Sequence, residues 1–218
     1  MPVGSLAGDD RRDRLNAARL FVVTDARERR GDLRDFLEAI LDAGVDMVEL
    51  REKDADARDL LKWGEVFTEA CAMHRALFIV NDRPDVARAL DADGVHLGQD
   101  DLPPSAARDI LGPDAIIGLS CHSGEQQDLA APEADYVTAG PVYETPTKPG
   151  RAATGLELVR HATEKVTRPW FAIGGIDPET LHEVVEAGAS RVVVVRAVCD
   201  AADPAEAVKE LLTGLPGD

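Results

Sequence analysis

Short apolar runs, each ending in a polar cluster, alternate along this chain with stretches of helical periodicity. The first run, Leu20–Thr24, predicts a buried strand. Leu33, Phe36, Leu37, Ile40 and Leu41 follow at helical spacing, with Gly44 placed to end that helix. Met47–Leu50 predicts a second strand, emptying into Arg51, Glu52 and Lys53 before a helix that carries Leu60, Leu61, Val66, Phe67 and Ala70. Phe78–Val80 and Gly94–Leu97 predict strands three and four, joined by a helix that starts near Pro84. Ile116–Leu119, Tyr136–Ala139, Trp170–Ile173 and Val192–Val195 predict the remaining four. Asp177-Pro178-Glu179 and Asp203-Pro204-Ala205-Glu206 read as helix starts, with Gly188 and Gly214 as the matching stops.

Strand and helix alternating in this way most simply close into a single (β/α)₈ barrel over residues 20–214, preceded by a flexible polar leader over 1–19. A doubly wound open sheet is disfavoured. The first strand lacks a GxGxxG turn, and polar residues follow nearly every strand instead of clustering at one switch point.

A parallel barrel collects its chemistry at the carboxyl ends of its strands. On that rim the sequence places Glu49, Arg51 and Lys53; Asn81 and Asp82; Gln99, Asp100 and Asp101; Ser120 and His122; Thr145, Thr147 and Lys148; Gly174 and Gly175; and Arg196. Neighbouring parallel strands deliver Asp82 and Asp101 to the same edge, which suits a hard, oxygen-seeking cation such as Mg²⁺. Capping of the two following helices is the competing reading of that pair. Cations facing carboxylates make sense if a metal and a polyanion fill the gap between them. The glycines after strand seven and Arg196 after strand eight match the position at which barrels often hold phosphate; a tight turn needing glycine is the plainer alternative.

Composition narrows the function classes. The 218 residues carry a formal charge of −17, which argues against nonspecific nucleic-acid binding. Lysine is rare, and such an acidic, lysine-poor surface suits a protein working in concentrated salt. No apolar run approaches the roughly 18 residues of a membrane span, and the charged N-terminus does not read as a signal peptide, so a cytoplasmic location is expected. Cys71, Cys121 and Cys199 are odd in number and form no CxxC pair, against a disulfide framework or zinc site. Ser120 and His122 lack an acid partner for a catalytic triad, His96 reads as an interior packing or locally bonded residue, Cys121 as a small buried filler, and Trp63 and Trp170 as core.

Six motifs, VELREKD from Val48, FIVNDRPDVA, GVHLGQDDLP, IGLSCHS, DYVTAGPVYETPTKPG and AIGGI, resemble those of the thiamine-phosphate synthase family in order and spacing. The resemblance runs from about Leu20 to Val198. It implies a barrel transferase that joins 4-amino-2-methyl-5-(diphosphooxymethyl)pyrimidine to 4-methyl-5-(2-phosphooxyethyl)thiazole, releasing pyrophosphate through a dissociative pyrimidine cation. It further implies Mg²⁺ on Asp82 and Asp101. Arg51, Lys53, Ser120 and Lys148 would act on the diphosphate, with Asn81 beside them, and Thr145, Thr147, Gly175, Val195 and Arg196 would surround the thiazole phosphate. Two departures stand out: Glu49 replaces the family's usual glutamine, and Arg196 replaces a common serine. A thiazole-phosphate tautomerase or sensing regulator on the same barrel is the implied alternative. It would have no need of Asp82, Asp101, Arg51, Lys53 and Lys148 together. The partners expected are small phosphorylated substrates, with a homodimer left open.

Overall fold

A computed structural model describes residues 8–145 and 152–217. Eight parallel strands close into a barrel, each paired with its sequence neighbour and β1 with β8. They are β1 (Leu20–Thr24), β2 (Met47–Leu50), β3 (Leu77–Asn81), β4 (Gly94–Leu97), β5 (Ile116–Cys121), β6 (Tyr136–Ala139), β7 (Trp170–Ile173) and β8 (Val192–Val194). Helices α2 (Leu33–Asp42) to α8 (Leu181–Glu186) and α10 (Pro204–Gly214) follow the strands in turn, with a short α9 (Arg196–Cys199) immediately after β8. Among the described residues no helix is long and apolar enough to cross a membrane.

Alternation along each strand sorts side chains into two compartments. Val22, Val48, Val80, Val95, Leu119, Val137 and Val194 face outward into the layer between strands and helices, which is the larger apolar cluster. Phe21, Met47, Leu77, Ile79, Ile116, Tyr136, Phe171 and Val193 fill the barrel interior. Following the same alternation towards the carboxyl ends, the inward positions turn polar: Glu49, Asn81, His96, Ser120 and Thr138. An apolar floor beneath a polar mouth is thus built into the register itself. Trp63 and Trp170 are only partly buried, packed against the outer cluster instead of inside it.

The expectation of a loose leader over 1–19 fails for its described part. Gly8–Ala17 form helix α1, with Arg11 and Leu15 buried. Leu15 joins the interior cluster beside Phe21, Met47 and Leu77, closing the amino-terminal floor of the barrel. Charge pairs fasten it: Arg11 Nε lies 2.9 Å and Arg14 Nη2 3.2 Å from Asp93 Oδ1, and Arg12 Nε 3.3 Å from Asp135 Oδ1. Both acids also accept backbone N–H groups of strands, from Phe78 and Ile117, so the helix is tied to the sheet through shared carboxylates. One helix start also shifts. Asp177 does not cap α8; its carboxylate closes a turn by accepting from Thr180 N at 2.9 Å, and the helix begins at Leu181. The Asp203 cap holds as expected, accepting from Glu206 N.

Candidate active site at the barrel mouth

The carboxyl ends of β2, β3 and β4 bring together an acid–base cluster. Arg51 follows β2 directly, and its N–H donates to Thr24 O at 2.9 Å. Lys53 Nζ lies 3.1 Å from Asp82 Oδ2. Asp82 sits just past β3 in the left-handed region at φ 59°, an uncommon conformation for a non-glycine residue that turns its side chain back over the mouth. Its N–H is held by His96 O at 2.8 Å. Asp101 reaches the same place from the loop after β4, where its Oδ2 accepts from Gly98 N at 2.7 Å. Neither carboxylate caps a helix: the cap positions of α4 (Pro84–Leu90) and α5 (Pro104–Leu111) are Arg83 and Pro103.

The two acids bond to each other and titrate apart. Burial opposes charge on Asp82, yet hydrogen bonds from Asp101, Lys53 and Asn81 outweigh it and hold that carboxyl below its usual range. Burial and the bond to Asp82 push Asp101 above its own. Two carboxyls drawn together under partial burial must share a proton or a cation between them. The pair fits Mg²⁺, which is commonly held by one or two carboxylates with waters and substrate phosphates completing its shell. Among the described residues no group of three or more acids, histidines or cysteines gathers.

On the β5–β8 side a cavity of about 310 Å³ opens at the same rim. Ser120, His122, Thr145, Gly175, Val195 and Arg196 all line it. Gly174, at φ 106°, lets the β7 turn approach the Gly140–Val142 segment so closely that a Cβ there would lie 2.5 Å from Pro141 Cα. Asp177 and Asp200 also reach the cavity; sequence reasoning named Asp177 only as a helix start and Asp200 not at all.

A buried network joins the two halves. His96 bonds Tyr136 Oη through Nδ1 at 3.0 Å and Ser120 Oγ through Nε2 at 2.9 Å, and its ring stacks on Tyr136 at 5.6 Å. Tyr136 fits because Gly118 leaves room; a Cβ there would fall 2.1 Å from Tyr136 Cζ. Burial, then the field of Glu49, lifts the Tyr136 phenol well above its ordinary value, so it stays neutral. Gln99 Nε2 donates to Ser120 O at 2.6 Å, binding the loop after β4 to β5. Ser120 therefore does not pair with His122, whose Nδ1 contacts Gly140 O. Sequence reasoning left Tyr136 out of the site, although its place two residues before Thr138 on an inward-facing alternation was a usable signal.

The described candidates Glu49, Arg51, Lys53, Asn81, Asp82, Asp101, Ser120, Thr145, Gly175, Val195 and Arg196 thus gather at one end of the barrel. Glu49 is buried on the inner face of β2, 3 % exposed. Thr147 and Lys148 lie outside the described residues.

Comparison with known proteins gives one answer. Residues 20–198 match the family model described as thiamine monophosphate synthase. The chain is 56 % identical over 204 residues to the thiamine-phosphate synthase of Acidothermus cellulolyticus, covering 92 % of this chain and 96 % of that one. The counterpart from Streptomyces avermitilis is 55 % identical over 205 residues, covering 93 % and 95 %. Among solved structures, the thiamine phosphate pyrophosphorylase of Pyrococcus furiosus superposes with a TM-score of 0.82 at 36 % identity, covering 93 % of this chain and 96 % of that one. The protein belongs to the thiamine monophosphate synthase family.

Proposed function

We propose that the barrel mouth joins 4-amino-2-methyl-5-(diphosphooxymethyl)pyrimidine to 4-methyl-5-(2-phosphooxyethyl)thiazole, releasing pyrophosphate and forming thiamine phosphate. Its family makes the protein a transferase of thiamine biosynthesis. The observation that carries the finer reading is the meeting of Arg51, Lys53, Asp82 and Asp101 at one rim, beside a separate cavity with a glycine-rich turn.

In this reading Arg51 and Lys53 hold the pyrimidine's diphosphate and meet the charge that grows on it as the methylene C–O bond breaks, a role that the family resemblance also gives Lys148. Asp82 and Asp101 would hold Mg²⁺, which when bound supplies further charge neutralisation at that leaving group. Asn81 orients Asp82. Ser120, fixed by His96, offers its hydroxyl at the boundary between the two halves. The pyrimidine's own amino group supplies electrons to the methylene, so departure of diphosphate leaves a pyrimidine cation and no side-chain nucleophile is required. Glu49, buried inside the barrel, would accept from that amino group.

The thiazole sits in the larger cavity. Its phosphate rests among Gly175, Val195, Arg196 and Thr145, a set to which the family resemblance adds Thr147, and this leaves the ring nitrogen to attack the cation. Gly140, Pro141 and Thr145, which line this cavity, take up part of its wall and help keep competing water away.

The direct test incubates purified protein with both phosphorylated halves and Mg²⁺, following pyrophosphate and thiamine phosphate together. Equal amounts of the two products support the reading. Pyrophosphate without thiamine phosphate would make the protein a hydrolase, and neither product would remove the assignment.

A further inference from the structure

We propose that Tyr136 is a positioning residue: acting through His96, it sets the direction of the Ser120 hydroxyl proton so that Ser120 donates into the mouth. The inference deepens the function proposed above and rests on it, since the acceptor is the pyrimidine's diphosphate.

The three groups form one buried line across β4, β5 and β6. Tyr136 Oη lies 3.0 Å from His96 Nδ1, and His96 Nε2 lies 2.9 Å from Ser120 Oγ. Of the three, Ser120 alone lines the larger cavity, so Tyr136 acts on a ligand there through the imidazole.

Packing does not account for the phenol oxygen. The Tyr136 ring meets Phe21 and Phe171 edge-on at 6.1 and 5.7 Å, contacts that a phenylalanine would make equally well. A hydroxyl taken into the barrel interior is destabilising unless it is bonded, and here its bond is to His96. Ser120 has its main chain held by Gln99, whose Nε2 donates to Ser120 O at 2.6 Å. What that contact leaves open is the direction of the hydroxyl proton.

The chemistry of the acceptor sets that direction. Ionised diphosphate oxygens accept hydrogen bonds and have no proton to give. Ser120 therefore assists the leaving group by donating its O–H, which leaves Oγ to accept from His96. Nε2 must then carry the imidazole proton, and a neutral ring protonated there accepts at Nδ1. Tyr136 is suited to supply that bond, because burial keeps its phenol protonated. One chain of donors thus runs from Tyr136 Oη through His96 to Ser120 and on to the diphosphate. With phenylalanine at position 136 the imidazole loses the bond that selects its tautomer, and Ser120 can turn its O–H inward to Nε2.

Two measurements test this. Nitrogen NMR of the enzyme with isotope-labelled histidine, the His96 signals assigned through contacts of its ring with that of residue 136, should show a neutral ring protonated at Nε2. Tyr136→Phe should move that signature towards the Nδ1-protonated form. It should also lower kcat roughly tenfold, the scale of one hydrogen bond to a charged group, with KM for the thiazole phosphate unchanged. Ser120→Ala should lower kcat at least as much, and adding Tyr136→Phe to it should slow the enzyme no further. A wild-type ring protonated at Nδ1 overturns the inference. So does a Tyr136→Phe enzyme that melts early yet turns over normally, or a pair of substitutions whose effects multiply. Wild-type protein that forms no thiamine phosphate would remove the proposed function, and the inference with it.

Discussion

Lys53 Nζ stands 3.1 Å from Asp82 Oδ2, while the same carboxylate shares a hydrogen bond with Asp101. One cation therefore balances two acids contributed by neighbouring strands, and it does so from an exposed position, with half the lysine side chain in water. An exposed pair adds only about 0–1 kcal/mol to folding, so Lys53 is explained better by charge on a ligand than by stability. Lys53→Ala should slow turnover by roughly 10²- to 10³-fold, the scale seen on removing a preorganised electrostatic donor. Its thermal midpoint should stay close to that of the wild type. A variant that unfolds early yet retains turnover would reverse this assignment.

Asp101 has two tasks that one substitution can separate. Its Oδ2 braces the loop after β4 through Gly98 N, and its charge faces Asp82. Asn at position 101 keeps an oxygen for Gly98 while discarding the charge. Asp101→Asn should therefore fold normally, lose most activity at ordinary Mg²⁺ and recover part of it as Mg²⁺ is raised. Near-normal turnover at low Mg²⁺ would take Asp101 out of the metal site.

Much of this arrangement is legible without coordinates, for a physical reason. A parallel strand buried on both sides must be a short apolar run, and the chain must turn polar where it leaves the barrel. Strands such as Leu20–Thr24, Met47–Leu50 and Tyr136–Ala139 are accordingly visible to the residue. The same logic puts Asp82 and Asp101 on one rim. What escapes is structure held by distant charge. Helix α1 has almost no apolar stripe; Arg11 and Arg14 find Asp93 some 80 positions away, and no local pattern announces that. The His96–Tyr136–Ser120 chain was hidden for a related reason, since His96 and Tyr136 come level across Gly118, with Ser120 the next inward position on β5, only when the strands are in register.

The β7 turn offers a test of how closely the larger cavity depends on backbone approach. Gly174 has φ 106° and no space for a Cβ against Pro141, whereas Gly112 has φ 85° with nothing within 4 Å. Gly112→Ala meets only the conformational penalty, about 1–3 kcal/mol at φ 85° and ψ 179°, and should leave catalysis alone. Gly174→Ala adds displacement of the turn to a strain of about 1–3 kcal/mol. It should raise the KM for the thiazole phosphate far more than that for the pyrimidine diphosphate. Equal changes in both constants would mean the turn does not belong to the thiazole side.

The acidic surplus predicts a salt response. With 41 acidic residues against 24 lysines and arginines, self-repulsion weakens the fold at low ionic strength. The screening length falls from about 10 Å at 0.1 M to about 3 Å at 1 M salt. The unfolding midpoint should consequently rise between low and molar KCl. A flat or falling midpoint would mark the surface as merely acidic, not adapted to concentrated salt.

The Arg27–Asp32 pair gives a pH signature for the β1 edge of the mouth. Arg27 is 5 % exposed, stacks 3.8 Å above the Phe36 ring and grips both oxygens of Asp32. The guanidinium bonds hold the Asp32 carboxyl below its ordinary value, overcoming its partial burial. A carboxyl depressed on folding contributes stability above its unfolded pKa, about 3.9. That contribution disappears as pH falls through the lower folded value. Asp32→Asn should thus be destabilised at pH 7, by about 1 kcal/mol because the carboxylate is partly screened by water. The gap to the wild type should narrow steadily below pH 4 and close in stronger acid. A gap that stays constant from pH 7 to pH 3 would show that packing of Arg27 on Phe36, and not the charge of Asp32, holds this edge in place.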